Sequence, residues 1–491
     1  MTPPIETIAI VGAGVMGRGI ALLALTVGKS VILSDLSEDV RKAALDEITS
    51  RVQRLQEKGK MTGDEASACL SRLKLSGDVA DLEPVDLVLE AIIENLEIKQ
   101  RLLHDVESVV SADTLIATNT SSFLVSEFAA NAQKPDRVLG LHFFNPAPLM
   151  KLVEVIAGTQ TNPKAVDRVT CFVNALGHVP VEVADVNGFL VNQLGRGYIL
   201  EAARLAEEGI GDFKTIDRAL KRAMGFKMGP FELMDLTGLD VTYPASRSIW
   251  EGNGFDSRFL PPALMERRLK SKTLGQKSGI GFHVGQDLAP ADYPEMISPD
   301  VVVWCPPKYQ DVLGGVCARL QTFGASVSDE PTFSKETVII VPLGGKHLLK
   351  VAKENNLPAE RCVGVDNFFG SSDHLCLSIS SLTSRMVIES LQSVNTTILQ
   401  DKDGTVCQRI LLQLGLIASD MLSKGVASEQ DIDIGAKLAL GHVQGPFERM
   451  RQIGLLKVEN LRSEIFTQSA EERFRPSIWL TERALCEEMT Q

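Results

Sequence analysis

Residues 7–17, TIAIVGAGVMG, predict the fold of the first third of the chain. The apolar run that precedes the glycines is typical of a strand buried on both faces of a parallel sheet. Gly12 permits a tight turn, Gly14 lets the backbone approach a pyrophosphate, and Gly17 allows a helix to pack closely on the strand. An amphipathic helix over residues 15–28 would present its N-terminus to the phosphates. The alternative is that the glycines only form a tight turn between strand and helix.

A carboxylate follows the second predicted strand. The run Ser30–Leu33 leads to Asp35, close to the spacing at which an acidic residue accepts hydrogen bonds from the ribose hydroxyls of NAD. The same charge repels the extra phosphate of NADP, and no arginine directly follows Asp35. Val15 and Met16, at the start of the predicted helix, are expected beside the dinucleotide. NAD is therefore the predicted cofactor.

Polar side chains follow the next predicted strands, which cover residues 85–90, 114–117 and 137–141. In an open α/β sheet, ligands gather beyond the carboxyl ends of the strands. We therefore expect one rim of the sheet to carry these residues: Glu94, Lys99, Asn119, Ser121 and His142.

His142 and Glu154 are the candidate catalytic pair. His142 ends one apolar run and Glu154 lies inside the next, where a buried carboxylate is costly unless it has a partner. A histidine so oriented can take a proton from a hydroxyl while the carbon beneath loses hydride to a nicotinamide. The alternative is a packed structural histidine. Ser121 either hydrogen-bonds a substrate oxygen or, like Ser122, caps a helix.

Composition limits the possible partners. A chain of 491 residues predicts about three domains from length alone, and 44% hydrophobic with 23% charged residues is typical of soluble globular proteins. A formal charge of −13 argues against nucleic acid. Eight cysteines without a C-x-x-C pair favour reduced thiols over disulfides or a metal site. With no leader and no apolar span, the expected location is cytoplasmic, with no membrane partner.

A charged helical region is predicted over residues 37–73. It carries Arg51, Arg54, Lys58 and Lys60 in an otherwise acidic protein. These side chains form either a solvated face or a local contact for a phosphorylated substrate.

Ordered motifs run through residues 1–284: Gly12-x-Gly14-x-x-Gly17, Glu94-Asn95, Asn119–Ser122, His142–Pro146, Val153–Val155, Gly188–Asn192, Met228–Glu232 and Lys277–Phe282. Together they resemble the motifs of the L-3-hydroxyacyl-CoA dehydrogenases. The resemblance implies that His142 is the base, that Glu154 is its partner and that Ser121, Asn192 and Asn145 lie at the substrate. It also implies that Asp35, Glu94, Lys99 and Asn119 lie at the NAD site, and that Lys58 or Lys60 contacts CoA.

The implied reaction is reversible oxidation of a (S)-3-hydroxyacyl-CoA to the 3-oxoacyl-CoA. The long architecture resembles the long bacterial form of the family, which includes 3-hydroxybutyryl-CoA and 3-hydroxyadipyl-CoA dehydrogenases. The latter belong to phenylacetate breakdown. Arg196 and Arg204 follow Asn192 and are expected at the surface. The alternatives are an NAD-binding structural or regulatory protein and a dehydrogenase of a free hydroxy acid.

The second half of the chain repeats the first. The stretch Gly188–Glu232 recurs without a gap, 216 residues further on, as Gly404–Glu448, which indicates a duplicated helical unit. Residues 301–380 look like a shortened nucleotide domain without the glycine loop. Matching residues 135–142 to 359–366 places Asp366 where His142 stood and Ser378 at the position of Glu154, while Gln408 replaces Asn192. The second copy is therefore predicted to be non-catalytic.

The predicted fold class is a Rossmann-type NAD-binding domain plus an all-α domain, followed by a reduced Rossmann-like domain and a second helical copy. The two helical copies could bury the same apolar face in one chain, which predicts a monomeric pseudo-dimer, with a homo-oligomer as the alternative. The predicted domain ranges are 1–186, 187–290, 298–382 and 383–491.

Overall fold

The computed structural model describes residues 3–285, 293–330, 337–366, 368–369 and 373–490. The chain divides into two compact units, Met1–Val191 with Lys424–Leu440, and Asn192–Ser423 with Gly441–Gln491. The domain ends predicted at residues 290 and 491 lie outside the described residues, and the four-domain division stays a prediction.

The first unit is built on an eight-stranded sheet in the order β3-β2-β1-β4-β5-β6-β7-β8. Neighbouring strands are parallel except β6 and β7, which are antiparallel. The strands are β1 Thr7–Val11, β2 Ser30–Ser34, β3 Leu73–Ser76, β4 Leu87–Glu90, β5 Leu115–Thr118, β6 Val138–Phe143, β7 Leu152–Ala157 and β8 Val179–Ala184.

Helices pack on both faces of this sheet, because its central strands are apolar on both sides. Ile8 and Ile10 of β1 belong to the core on one face, and Ala9 belongs to the core on the other. The helices of this unit are α1 Val15–Thr26, α2 Glu38–Glu57, α3 Gly63–Ser71, α4 Leu96–Val109, α5 Val125–Phe128, α6 Pro163–Ala175 and α16 Glu429–Leu438.

Two strands of this sheet were not predicted. The helical region expected to reach residue 73 ends earlier, because α3 stops at Ser71 and β3 begins at Leu73, paired with β2. The short, polar segment of β3 lacks the apolar run that marks a buried strand. The second is β8, which alternates between buried and exposed residues and pairs with β7.

The second unit combines two groups of helices with a smaller sheet. Its six strands run in the order β10-β9-β11-β12-β13-β14, parallel except for the β12–β13 pair. They are β9 Val302–Trp304, β10 Ser326–Ser328, β11 Thr337–Pro342, β12 Cys362–Val365, β13 Leu375–Ile379 and β14 Thr396–Gln400. The helices are α7 Val191–Glu207, α8 Phe213–Ala223, α9 Pro230–Thr237, α10 Leu239–Gly252, α11 Ala263–Lys270, α12 Gln310–Thr322, α13 Leu348–Glu354, α14 Arg385–Ser390, α15 Val406–Ser423, α17 Pro446–Ile453, α18 Leu455–Ser469 and α19 Ile478–Thr490.

The smaller sheet is a reduced version of the larger one. β9 and β10 flank a helix as β1 and β2 do, and the antiparallel pair followed by a parallel strand recurs as β12, β13 and β14. β11 lies directly beside β9, and β10 is the edge strand, so the described sheet has no equivalent of β4 or of β3. The residues after β9 are Cys305-Pro306-Pro307, so the glycine loop is replaced by a segment with two prolines that lack an N–H.

The predicted match of Ser378 with Glu154 is wrong. In the first sheet His142 lies directly opposite Glu154, whereas in the second Gly364 pairs with Ser378. Continuing that register places Cys376 opposite Asp366. The connection between the paired positions is two residues shorter in the second copy, and a sequence match without a gap misses this deletion.

The two helical copies pack against each other inside the second unit. Gly225 lies against Val443, and their counterparts repeat the contact, since Gly441 lies against Lys227. Such reciprocal contacts define an isologous, two-fold interface. α15 is buried along nearly its whole length. This is the packing that the predicted internal pseudo-dimer requires.

None of the helices in the described ranges combines the length and apolarity that a membrane crossing requires.

Candidate active site

The glycine loop has room for a ligand at one position and no room at two others. Gly12 has a φ of +106°, and a Cβ there would lie 2.4 Å from the carbonyl oxygen of Ala91. A Cβ on Gly17 would lie 1.8 Å from the Gly12 oxygen. At Gly14, the residue just before α1, a Cβ would meet nothing within 4 Å. Open space at the N-terminus of a helix fits a pyrophosphate.

Asp35 is fixed beside this loop. Its carboxylate accepts hydrogen bonds from the N–H groups of Ala13 at 3.0 Å and Ser37 at 3.0 Å. Arg41, in the first turns of α2, donates to the carbonyl oxygens of Asp35 and Leu36. Arg41 was not predicted to lie here, because it is six residues after Asp35 and not directly after it.

Lys99 is buried between two carboxylates. Its Nζ lies 2.7 Å from Glu90 Oε1 and 3.0 Å from Glu94 Oε2. Thr118 donates its hydroxyl to the other oxygen of Glu90 at 2.6 Å. Burial raises the pKa of Glu94, but the Lys99 ammonium and the Thr120 hydroxyl bring it below its usual value. Lys99 therefore holds Glu94 ionised and in place.

Glu94 in turn holds the loop that follows β5. Its Oε1 accepts hydrogen bonds from the Thr120 hydroxyl at 2.5 Å and from the Ser121 N–H at 3.3 Å. The alternative reading of Ser121 or Ser122 as a helix cap is wrong, because α5 begins at Val125 after Leu124. The Ser121 side chain is exposed beyond the strand end.

His142 and Glu154 form a buried pair across β6 and β7. His142 Nδ1 lies 2.5 Å from Glu154 Oε2. The other carboxylate oxygen accepts the N–H groups of Leu190 at 2.9 Å and Val191 at 2.8 Å. Glu154 is fully buried, so these contacts supply the partners that a buried carboxylate needs.

Aromatic rings and an amide surround the histidine. The His142 ring lies 4.5 Å from the Phe144 ring and 5.8 Å from the Phe189 ring, measured between centroids. The Asn119 side-chain oxygen accepts the N–H of Phe143 at 2.8 Å, which ties the β5 loop to the end of β6. Asn145 is exposed just after this strand.

The other predicted residues lie on other elements of the chain. Lys58 and Lys60 are exposed in the turn after α2, and their ammonium groups make no ion pair with the described residues. Asn192 lies on α7 of the second unit. In the first two turns of α7 only Asn192, Gly195 and Arg196 are not buried, so they form one accessible stripe.

The expectation that Arg196 and Arg204 lie at the surface is wrong for Arg204. It is buried and donates to the carbonyl oxygen of Leu260 at 2.6 Å and to Glu201 at 3.1 Å. Arg196 is half-buried, and it makes no hydrogen bond or ion pair with the described residues. Burial lowers the pKa of Arg196 to about 10.

The second copy of the site has lost the pair. Cys376 stands in the register position of Glu154, and its sulfur lies 3.8 Å from that of Cys407, the counterpart of Val191. Asp366, in place of His142, is buried and hydrogen-bonded to Thr405. Burial raises the pKa of Asp366 to about 6, against the hydrogen bonds that lower it. Two thiols cannot orient a base as a carboxylate does.

Within the parts of the chain that the structure describes, no three His, Cys, Asp or Glu side chains are placed to hold a metal ion.

A glycine loop with an open phosphate position, an acidic residue after β2 and a buried His–carboxylate pair together define an NAD-dependent oxidoreductase. The family model for the NAD-binding domain of 3-hydroxyacyl-CoA dehydrogenase matches residues 7–186. The model for the C-terminal domain matches twice, over residues 188–284 and 404–491. The chain belongs to the 3-hydroxyacyl-CoA dehydrogenase family. The double match confirms the predicted duplication of the helical unit.

Relatives of two lengths are similar to this chain. It is 33% identical over 487 residues to the 3-hydroxyadipyl-CoA dehydrogenase of Escherichia coli K12, covering 98% of both chains. A mitochondrial hydroxyacyl-coenzyme A dehydrogenase of Rattus norvegicus is 38% identical over 285 residues, which are 57% of this chain and 91% of the relative. A crystal structure of 3-hydroxybutyryl-CoA dehydrogenase from E. coli K12 superimposes over 100% of both chains with a TM-score of 0.88 and 30% identity. The predicted fold class, with its reduced second half, is confirmed.

Proposed function

We propose that His142 is the general base and Glu154 its partner in the oxidation of a (S)-3-hydroxyacyl-CoA to the 3-oxoacyl-CoA. The observation that carries this proposal is the 2.5 Å contact between His142 Nδ1 and Glu154 Oε2. When Nδ1–H donates a hydrogen bond to the carboxylate, Nε2 keeps a lone pair that can accept the proton of the substrate hydroxyl. The buried carboxylate then stabilises the imidazolium that forms.

The residues proposed to bind NAD all lie in the first unit. The backbone at Gly12, Gly14 and Gly17, with Val15 and Met16 after it, would hold the pyrophosphate of NAD, and Asp35 would accept from the ribose. When bound, NAD supplies the acceptor for hydride from the substrate carbon. Glu94 and Asn119 line the same rim, and Lys99 acts through Glu94, because its ammonium is buried between Glu90 and Glu94.

The substrate roles rest on the family motifs. Ser121, exposed past β5, would hydrogen-bond a substrate oxygen, and Asn192 would contact the substrate with its amide. Asn145 lies just after the strand that carries His142 and would line the reacting centre. Lys58 and Lys60 are free of ion pairs with the described residues, which suits contact with CoA phosphates.

Arg196 points to a dicarboxylic acyl chain such as 3-hydroxyadipyl. It shares the accessible stripe of α7 with Asn192, one helical turn further on. A half-buried guanidinium without an acidic partner is costly and well suited to a second carboxylate. The relative that matches nearly the whole chain is called 3-hydroxyadipyl-CoA dehydrogenase, and the matching solved structure is called 3-hydroxybutyryl-CoA dehydrogenase.

The reaction is tested by the loss of NADH absorbance with acetoacetyl-CoA. We expect His142→Ala to lose nearly all turnover while it still binds NADH. Glu154→Gln should also lower turnover, because it removes the carboxylate that pairs with His142. Its matched control is Glu182→Gln, because Glu182 is exposed on the neighbouring strand β8. Comparable turnover in His142→Ala would overturn the base assignment. Wild-type protein that binds NADH but does not oxidise it when supplied with a 3-oxoacyl-CoA would favour a free hydroxy acid or a structural role.

Acyl-chain preference is tested with two substrates. We expect Arg196→Gln to lower kcat/KM for 3-hydroxyadipyl-CoA at least about tenfold, the size of one charge-assisted contact, with little change for 3-hydroxybutyryl-CoA. Arg196→Lys should retain part of the preference. Equal losses for both substrates would contradict the proposal, because a merely structural role would not distinguish them.

We propose a cytoplasmic location and an internally paired monomer. The eight cysteines are free thiols, which suits a reducing compartment. The reciprocal packing of the two helical copies supports pairing within one chain. Light scattering of the purified protein tests the second point, and a mass of two chains would contradict it.

A further inference from the structure

A cavity of about 990 Å³ lies within the second unit, and none of the residues proposed for the catalytic site lines it. It is lined by the loops that follow β11 and β12, by α17 and α18, and by the end of α8. This volume is at the upper end of what ligand-binding clefts enclose.

The position of the cavity corresponds to the active-site rim of the first copy. Gly344 follows β11 as Thr120 follows β5, and Phe368 follows β12 as Phe144 follows β6. The carboxyl ends of parallel strands are where ligands bind in such sheets. The second copy has therefore lost the catalytic residues but has kept an open cleft at the same place.

Three cations line the cavity without acidic partners. Arg222, Arg449 and Lys457 make no ion pair with the described residues. Arg449 is half-buried, donates to the carbonyl oxygen of Met224 at 3.1 Å and lies 5.6 Å from the Phe369 ring. Burial lowers the pKa of Arg449, as expected for a charge that lacks a partner.

Two carboxylates also line the cavity, and they do not neutralise these cations. Glu464 is taken by Lys350, at 3.0 Å, and Asp311 is exposed. The lining is therefore cationic in a protein whose formal charge is −13. Phe369, Val443 and Leu461 add an apolar surface beside the cations.

The loop after β9, which corresponds to the glycine loop of the first copy, argues against a second dinucleotide. The segment after β9 contains Pro306 and Pro307, whose nitrogens carry no proton for a phosphate. What the cavity offers is cations for phosphate together with apolar surface for a chain.

We propose that this cavity binds a phosphate-bearing amphipathic anion of the acyl-CoA class and holds it without reaction. The class of ligand rests on the proposed function, in which the first copy acts on an acyl-CoA. Arg449 is the principal contact, because it is the partly buried cation, and its counterpart in the first copy is Leu233.

The test is titration of the full chain with butyryl-CoA, which has no 3-hydroxyl group and cannot be oxidised at that carbon. We expect two sites per chain by calorimetry. Arg449→Leu and Lys457→Met should each weaken one site about tenfold or more, while turnover with acetoacetyl-CoA stays within twofold of wild type. Arg449→Lys should retain part of the affinity.

Arg385→Leu is the matched control, because Arg385 is an exposed arginine paired with Glu389 on α14. A single site in wild type, or two sites that neither variant affects, would overturn the proposal. ATP that competes at the second site as well as butyryl-CoA would overturn the acyl part of it. A failure of the proposed function would show instead as absent turnover with the second site intact.

Discussion

Phe226 and His442 occupy equivalent positions in the two helical copies, and their rings contact each other at 4.7 Å between centroids. Two equivalent residues can touch only near the axis that relates the copies. Gly197 also lies against its own counterpart, Gln413. The pseudo-two-fold axis of the second unit therefore passes by these residues.

The histidine on this axis should make the protein acid-sensitive. Burial, with the charge of Arg449, holds the pKa of His442 down to about 3. Its unfolded pKa is near 6.5, so its contribution to stability is present above about pH 6.5 and is lost as the pH falls below that value. At pH 5 the loss is about 2 kcal/mol.

We expect His442→Phe to reduce the fall in Tm between pH 7.5 and pH 5, since phenylalanine fills the same place in the first copy. His104→Gln, at an exposed position, serves as the control. An unchanged pH dependence of Tm in His442→Phe would contradict the assignment.

Glu201 should be among the most sensitive positions in the second unit. It is fully buried and pairs with Arg409 at 2.6 Å, Arg204 at 3.1 Å and Arg473 at 3.2 Å. Burial raises the pKa of Glu201, but the three arginines bring it to about 2. Removing one partner of a buried ion network leaves the others uncompensated.

We expect Glu201→Gln to lower the free energy of unfolding by about 3–5 kcal/mol, measured by denaturant titration. Glu251→Gln is the control, because Glu251 pairs with Arg247 on an exposed helix face. A loss no larger than that of the control would show that the network contributes little to stability.

Two glycines of the same loop should fail in different ways. A Cβ on Gly17 would lie 1.8 Å from the Gly12 carbonyl oxygen, so Gly17→Ala should lower Tm. A Cβ on Gly14 meets nothing within 4 Å, so Gly14→Ala should fold normally and bind NADH more weakly. Thermal unfolding and NADH fluorescence separate the two effects. Equal Tm losses would contradict the assignment of open space at Gly14.

The second helical copy should be required for a well-behaved protein. A chain that ends at residue 290 exposes the apolar surfaces of α7 and α8 that α15 covers. We expect the truncated protein to aggregate or to dimerise, as measured by size-exclusion chromatography. If it were monomeric and fully active, the second copy would be dispensable for this purpose.

The structural predictions that were confirmed rest on local sequence patterns. The glycine loop and the apolar runs of β1 and β2 are contiguous in sequence, and the His142–Glu154 contact follows from one buried carboxylate in an apolar strand. What failed depends on distant chain. Arg204 is buried and donates to carbonyl groups more than fifty residues further along the chain. Cys376 occupies the register position of Glu154 because the second copy has a two-residue deletion.

The smaller strands failed for a different reason. β3 is short and lies at the edge of its sheet, so only one of its four residues is buried and the run is not continuously apolar. The cavity beside Arg449 has no signal in the sequence, because Arg222 on α8 is more than two hundred residues from Arg449 on α17 and Lys457 on α18.

The reciprocal contacts Gly225–Val443 and Gly441–Lys227 join two halves that one peptide chain already links. Dilution therefore cannot separate them, since their encounter is governed by the tether and not by protein concentration. The linkage also lets the two sides of the interface acquire different substitutions. In an assembly of identical subunits every substitution occurs on both sides of the axis. Here each side can change alone, and His442 opposite Phe226 is an example.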